Sequence, residues 1–294
     1  MPSPAGEPGT LWIVATPIGT LGDLAPRALE VLRGVDLILA EDTRRARALL
    51  GHFGVAAAGR LRSLHEHNEE HKAESLLAEL AAGRSMALVS DAGTPVLSDP
   101  GFLLVRAARE AGLPVSSLPG PSSFTAALAA SGQPPLPAVL SGFLPARSGP
   151  RRRRIAELAR VPWTLVVLLS PHRLGRELAD LAEVLGAGRR ATLLAEISKL
   201  HERAAVGTLR ELAEGPEAET PRGEYVLVVG PADEARGEAA GAGREEVLEA
   251  YREALGDGLE RPDALRRTAR RLGLPRREVF AILAAEDDGG DGRS

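Results

Sequence analysis

The sequence predicts an α/β protein: two α/β domains, followed by a small C-terminal helical module. Three observations carry that expectation. In the first half, short apolar runs of strand length alternate five times with segments of helical periodicity, the pattern of a mostly parallel sheet covered by helices on both faces. The stretch Gly132-Gln133-Pro134-Pro135-Leu136-Pro137 is a stiff break, after which apolar runs resume with shorter connections and predict a second, mixed sheet. Beyond an Ala-, Gly- and Glu-rich stretch, the helical pattern continues without strands.

In chain order, residues 1–9 are rich in Pro and Gly and are expected to be disordered, and the first domain spans 10–135. Leu11 to Ala15 is its first strand. The loop from Thr16 to Asp23 follows, with Asp23 placed to cap a helix that carries Leu24, Ala28, Leu29 and Leu32 and ends at Gly34. The strand Val35 to Ala40 leads through Glu41-Asp42-Thr43-Arg44 into a helix to about His52. Leu61 to Leu64 precede the polar cluster His65-Glu66-His67-Asn68 and a helix from Glu69 to Ala82, stopped by Gly83. Met86 to Val89 is a buried-type strand. It runs into the small polar loop Ser90-Asp91-Ala92-Gly93-Thr94-Pro95, and then Asp99 as N-cap with Pro100 at the first helical position predicts a helix to Ala111. Pro114 to Leu118 is the last strand of this half, and Pro119-Gly120-Pro121-Ser122-Ser123 opens an Ala-rich helix ending near Ser131.

The second domain, 136–231, begins with the strand Ala138 to Gly142, and Arg147 with Arg151 to Arg154 lead a helix to Arg160. Thr164 to Leu169 is a fully apolar strand entering Ser170-Pro171-His172-Arg173 and another helix. Ala191 to Glu196, Ala204 to Val206 and Tyr225 to Val229 are further strands, with Thr208 placed to cap a helix over Leu209 to Ala213. Residues 232–243 read as a tether. Residues 244–285 read as a helix-turn-helix-like module whose turn is Gly273-Leu274-Pro275, and 286–294 as a disordered acidic tail.

Thirty-six Lys and Arg stand against 40 Asp and Glu, a net charge of −4, so a nucleic-acid partner must be held by local basic patches. With no cysteine there are no disulfides, thiolate metal ligands or cysteine nucleophiles, in keeping with a reducing cytosol. No apolar run reaches the roughly 18–20 residues that span a bilayer, and the N-terminus lacks a signal-peptide core. A soluble, cytoplasmic protein without a membrane partner is therefore expected. Aromatic residues make up only 3 %, too few for a broad base-stacking platform.

No G-x-G-x-x-G follows the first strand and no Walker loop occurs, which disfavours folds built around a phosphate cradle. Ser170 beside His172 lacks the G-x-S-x-G context of a hydrolase elbow. His65, His67 and His71 have spacing that permits a metal site, yet nothing supplies a clear further ligand, and no metal is expected. Glu41 and Asp42 read either as a base with its orienting group or as a helix cap with a dipole-favoured neighbour, and elementary physics favours the cap. The loop Ser90 to Pro95 lies where an open α/β sheet takes its ligand, beyond the carboxyl end of a strand.

Read together, these loops show a resemblance. Thr16-Pro17-Ile18-Gly19, Ala40-Glu41-Asp42-Thr43-Arg44, His65-Glu66-His67-Asn68-Glu69, Ser90 to Pro95 with Ser98-Asp99-Pro100-Gly101, and Pro119-Gly120-Pro121-Ser122 come from the first half. Gly142-Phe143-Leu144-Pro145, Ser170-Pro171-His172-Arg173 and Arg222-Gly223-Glu224 come from the second. In this order, over Leu11 to Gly230, they resemble the ribosomal small subunit methyltransferase I family of the tetrapyrrole methylase class. The resemblance implies a fold of that type and S-adenosylmethionine bound between the domains. It implies methyl transfer to the ribose 2′-oxygen of a cytidine in the decoding region of 16S rRNA, within the 30S subunit, by a homodimer.

It implies site residues as well. Pro17, Ser90, Asp91, Ala92, Gly93, Thr94, Pro95, Ser122 and Ser123 would line the cofactor from the first domain, with Leu168 and Leu169 opposite. A sulfonium methyl donor is already activated, so positioning supplies most of the rate and a base need only be near. The candidates at the cleft mouth are Glu41, Asp42, His65, His67, Glu196 and Lys199, among which the sequence does not choose, while Arg44 and Arg173 suit flanking phosphates. RNA contacts are expected from Arg147, Arg151, Arg152, Arg153, Arg154, His172 and Arg173. The module would add Arg266, Arg270 and Arg276, from a stretch where seven arginines face only Asp263 and Glu278. A solvated helix face is the plainer reading of both basic segments.

Three positions depart from the family pattern: Leu169 stands where glutamate is usual, Ala195 where arginine is usual, and Thr20 where asparagine is usual. They motivate a rival, an RNA-binding or ribosome assembly factor of the same fold with weakened catalysis. Methylation of a tetrapyrrole carbon is the rival within the class.

Overall fold

The computed structural model describes residues 7–232 and 244–272, and beyond them residues 276, 279, 280, 282 and 283. The expected tether beyond 232, the turn at 273–275 and the tail at 286–294 lie outside the described residues, as do residues 1–6.

The first half forms a five-stranded parallel sheet from β1 (Leu11–Val14), β2 (Leu37–Ala40), β3 (Leu61–Ser63), β4 (Met86–Val89) and β5 (Val115–Leu118), in the order β3-β2-β4-β1-β5. Every residue of β2 and β4 is buried, because side chains that alternate across a strand here meet helices on both faces. One face packs Val14, Ile38, Ala40, Ala87 and Val89 under α1 (Pro26–Gly34) and α2 (Thr43–His52). The other packs Leu11, Ile13, Leu37, Leu39, Met86 and Leu88 under α3 (Glu69–Ala81) and α4 (Phe102–Glu110). Register sets the functional edge: Val89 pairs with both Val14 and Ala40, and Val14 pairs with Leu118. The loops that follow these four strands therefore leave the sheet side by side.

Three local expectations are corrected. Asp23 does not cap α1, which starts at Pro26 behind Ala25; Asp23 closes a short 3-10 turn, Leu21–Asp23, and its carboxylate accepts a hydrogen bond from Ser198 Oγ. Asp99 does not cap α4 either. That helix starts two residues later, at Phe102, because Gly101 takes the N-cap position with φ +121°, a backbone shape that L side chains rarely adopt. Glu7 to Gly9 are not loose: the Gly9 amide donates to Leu80 O at 2.7 Å.

The second sheet is mixed, as its short connections predict. It contains β6 (Ala138–Phe143), β7 (Thr164–Leu169), β8 (Arg190–Ala195), β9 (Arg203–Thr208) and β10 (Tyr225–Val229), in the order β6-β7-β10-β8-β9. Only the β6–β7 pair is parallel. One face is covered by α6 (Ser148–Ala159), α7 (Leu174–Leu185) and α8 (Leu209–Ala213), the last started by a reciprocal capping box between Thr208 and Glu211. The helix α9 (Pro216–Glu219) follows.

The other face is covered by a helix from the first half. In α5 (Ser123–Ala130), Phe124, Ala127 and Leu128 pack on Val166, Leu194, Val226 and Val228 of the second sheet. Thr192 Oγ1 donates to Ser131 O at 2.7 Å and Thr164 Oγ1 to Pro134 O at 2.6 Å, so the segment after α5 is stitched to the second sheet as well. The two sheets thus share one helix, and the cleft between them starts at that helix's N-terminus.

After residue 243 come α10 (Arg244–Gly256) and α11 (Arg261–Arg271), with Val247, Ala269 and Val279 forming a small core. Among the described residues no helix is long and apolar enough to cross a membrane.

Candidate functional site

A cleft of about 290 Å³ opens where the two sheets face each other. From the first sheet, the loop after β4 contributes Asp91, Ala92, Gly93 and Thr94, followed by Ser98 and Asp99. Ser122, Ser123 and Phe124 enter from the start of α5. The second sheet supplies Leu140, Phe143, Leu168, Leu169, Tyr225 and Val226.

The loop after β4 is shaped from behind. Thr16 and Gly93 exchange backbone hydrogen bonds of 2.9 and 3.0 Å, Thr16 Oγ1 donates to Ser90 O at 3.1 Å, and Ser90 Oγ donates to Gly93 O at 2.8 Å. Thr94 Oγ1 donates to Pro121 O at 3.2 Å, which ties the loop to the start of α5. Ser90 is buried in this role, and Pro95 is buried too. Eight of the expected cofactor residues meet in the cleft: Asp91, Ala92, Gly93, Thr94, Ser122, Ser123, Leu168 and Leu169. Pro17 and Ser90 instead line an adjoining hollow of about 430 Å³.

Glu41, Asp42, Glu196 and Lys199, expected at the cleft mouth, do not line the cleft, and the carboxylates among them differ sharply. Asp42 caps α2, accepting from the Arg44 amide at 2.8 Å and from its guanidinium at 3.1 and 2.7 Å. Those hydrogen bonds hold the Asp42 carboxyl well below the usual carboxylate range, so it is an ionised cap and a poor proton acceptor. Glu41 beside it is exposed. Glu196 Oε1 accepts from Lys199 Nζ at 2.9 Å and from the Glu224 amide at 2.8 Å, and Lys199 also lies 3.2 Å from the Glu224 carboxylate. The Lys199 hydrogen bond, opposed by partial burial, pulls Glu196 below its ordinary range. Partial burial works against the Lys199 ammonium, but its bonds to Glu196 and Glu224 overcome that and raise its pKa. Lys199 is therefore a cation and not a base.

Asp99 is the residue that sequence reasoning missed, because Pro100 after it imitates a helix start. Its carboxyl is pushed up to about 6, first by desolvation, then by the charges of Glu41 and Asp91, against a hydrogen bond with Ser90. Arg45 and Tyr225, which no motif singles out, also line the cleft, Arg45 from α2 and Tyr225 from β10.

Other expected residues lie elsewhere. His65 and His67 follow the edge strand β3 and do not line the cleft. His65 Nε2 is 2.7 Å from Asn68 Nδ2, and its ring stands edge-on to His67. Among the described residues no three His, Cys, Asp or Glu side chains gather as a metal-type group. Arg173 Nε donates to the fully buried Glu177 at 2.9 Å, with His172 exposed beside it.

In α6 the helical spacing puts Arg151 on the buried face with Ile155 and Leu158. Its guanidinium donates to Asp180 at 2.6 Å and to Ala146 O at 2.9 Å, so Arg151 is a core ion pair and is corrected as a phosphate contact. Arg152 bonds Asp180 and Glu183, and Arg154 bonds Glu157. Arg147 and Arg153 are exposed. In the module, Arg266 pairs with Asp263 at 2.9 Å, while Arg270 and Arg276 are exposed.

A parallel sheet and a mixed sheet that share one helix and face each other across a polar-loop cleft define the tetrapyrrole methylase type of methyltransferase. The family described as Tetrapyrrole (Corrin/Porphyrin) Methylases matches residues 10–213. The chain is 50 % identical over 230 residues to Ribosomal RNA small subunit methyltransferase I of Xylella fastidiosa, covering 77 % of this chain and 84 % of that protein. The Synechocystis protein of the same name is 41 % identical over 96 % of this chain and 100 % of its own length. Uroporphyrin-III-C-methyltransferase from Thermus thermophilus superposes with TM-score 0.51 at 25 % identity, over 78 % of this chain and 98 % of that one. A second structure of the Thermus enzyme, complexed with S-adenosyl homocysteine, has TM-score 0.54 at 23 % identity over 77 % of this chain and 99 % of its own, which bears on the fold. The chain belongs to the tetrapyrrole methylases and, among them, to the ribosomal RNA small subunit methyltransferase I family.

Proposed function

We propose that this protein moves a methyl group from S-adenosylmethionine to the ribose 2′-oxygen of a cytidine in the decoding region of small-subunit rRNA. It does so within the 30S subunit, as a cytoplasmic homodimer whose units are 10–135, 136–231 and the module 244–285. The observation that carries the reading is the cleft itself, which gathers most of the expected cofactor residues from both sheets.

The donor set fits this cofactor. Asp91 offers a carboxylate to its cationic groups, Thr94, Ser122 and Ser123 offer hydroxyls to its polar ends, and Leu140, Leu168 and Phe124 offer apolar surface to its base. When bound, S-adenosylmethionine supplies a methyl group already activated by a positively charged sulfur. What remains for the chain is alignment and the removal of one proton. Leu168 and Leu169 form a dry wall, and Leu169 is almost fully buried. We assign the proton to Asp99: it lies in the cleft, ionises near pH 6, and is a carboxylate at neutral pH that burial makes more basic than Asp42 or Glu196. Arg44, Arg147, Arg153, Arg173, Arg270 and Arg276, with His172, hold phosphates along the approach.

The weakened-factor reading leans on Leu169 and Ala195. Both pair with Tyr225, one on each side of it in the sheet, so the acidic and the basic family residue are replaced together and neither change strands a charge.

The test is incubation of purified 30S subunits, free 16S rRNA and a porphyrinoid with labelled cofactor, followed by alkaline hydrolysis. One labelled, alkali-resistant linkage in 16S rRNA is expected, because a 2′-O-methyl group removes the nucleophile that cleaves it. Label on a base, or only in the porphyrinoid, would overturn the reading.

A further inference from the structure

The second hollow, about 430 Å³, adjoins the cleft and is left unused by cofactor binding. Cleft and hollow share one wall, the ion pair in which Arg45 Nη1 donates to Asp91 Oδ2 at 3.0 Å. The polar surface around Glu196 and Arg203 and the groove between the C-terminal helices share no residue with the cleft. We infer that this hollow receives the target nucleotide of the substrate RNA, with its base against Leu49 and His52 and its phosphate on Arg45. The inference rests on the ribose-methylation reading above.

Size is the first argument. At about 290 Å³ the cleft lies just below the usual range of ligand sites, roughly 300 to 1,000 Å³. One cofactor fills it, so the nucleotide needs a separate space that reaches the same rim.

Chemistry is the second. Pro17, Ala46 and Leu49 make an apolar floor, and Arg45, Asp91, Ser90 and His52 make a polar edge. Enzymes that act on one nucleotide splay it out of the strand and hold the base by stacking and edge contacts. His52 is exposed and held edge-on to Phe53, with centroids 4.9 Å apart, so its ring is oriented before anything binds.

Charge is the third. Arg44, Arg45 and Arg47 stand exposed on the first turns of α2, with no acidic residue in the first turn of that helix. The Arg45 side chain is 71 % exposed, and an ion pair so exposed contributes little. Its guanidinium can therefore exchange Asp91 for a phosphate, which it binds through two parallel hydrogen bonds. The exchange occurs on the wall common to hollow and cleft, which sets the ribose at the cofactor's edge.

Two variants test this, Ala48→Trp, which fills the hollow from an exposed helix position, and Arg45→Ala. Each is measured for S-adenosylhomocysteine affinity by calorimetry and for KM with 30S subunits. We expect cofactor affinity within about twofold of wild type in Ala48→Trp, and KM raised about tenfold or more in both variants. A direct readout needs no turnover: cytidine 5′-monophosphate, added in excess with S-adenosylhomocysteine, should shift the His52 ring signals in the wild type and not in Ala48→Trp. Unshifted ring signals, or wild-type kinetics in both variants, overturn the inference. If Ala48→Trp fails to fold, Leu49→Asp takes its place. A wild type that shows the shift yet methylates no RNA overturns the ribose reading and leaves the nucleotide site standing.

Discussion

Thr20 and Ser198 clasp the two halves of the protein together. Thr20 Oγ1 donates to Ser198 O at 2.5 Å, the Thr20 amide donates to Ser198 Oγ at 3.3 Å, and Ser198 Oγ in turn donates to Asp23. Ser198 and Glu196 both hold positive φ, +64° and +55°, a shape that costs a non-glycine residue about 1 kcal/mol or more and persists where surroundings fix it. The clasp supplies that fixing.

Gly19 is the tightest point of the clasp: a Cβ there would meet the Ser198 carbonyl at 2.6 Å and Lys199 Cγ at 2.7 Å. Because the carbonyl is backbone, Gly19→Ala must push the two loops apart. The expected result is S-adenosylhomocysteine affinity lowered about tenfold, read by calorimetry, with far-UV circular dichroism unchanged. Undiminished affinity would show that the clasp does not shape the cleft.

The clasp also shows where the sequence was legible. The parallel and mixed sheets follow from apolar runs and connection lengths, which are local properties, and β4, β7 and β10 lie where those runs place them. Asp23 and Asp99 were misread because both imitate caps, and what claims each is a partner or cleft wall far away in sequence: Ser198 for Asp23, the second sheet for Asp99. Arg151 was misread for a related reason. A run of arginines looks like one basic face, but helical geometry turns the first of them inward onto Asp180, and only the fold shows that Asp180 is there.

Asp99 sets an acid limb on activity. Its raised pKa makes it protonated below about pH 6 and ionised above, so kcat should rise through pH 6 and level off near neutrality. Asp99→Asn should abolish that limb and lower kcat while leaving cofactor affinity nearly unchanged. A limb that persists in Asp99→Asn would assign the proton elsewhere.

The same residue carries a stability signature. The folded pKa, about 6, lies above the ordinary 3.8, so the native state binds the extra proton and Asp99 costs stability as pH rises from about 4 through 6. Solvent screening at this half-open site reduces the cost to about 1 kcal/mol. Asp99→Asn should therefore raise Tm by about 2–4 °C at pH 8 and leave it unchanged at pH 4, by differential scanning calorimetry.

Neighbouring arginines of α6 should separate into two kinds. Asp180→Ala strands the buried Arg151 guanidinium and should cost about 3 kcal/mol or more in urea unfolding. Arg153→Ala should leave stability within about 0.5 kcal/mol and reduce the salt slope of 30S binding by about one unit. Equal stability losses would refute the assignment of Arg151 to the core.

The cleft between the sheets is the central claim, and one titration addresses it most directly: S-adenosylmethionine binding to the wild type and to Ser123→Trp, whose new side chain fills the cleft from the start of α5. Saturable binding of one cofactor per chain in the wild type, lost in a folded Ser123→Trp, is the predicted result. Binding that survives in Ser123→Trp with wild-type affinity would contradict the account.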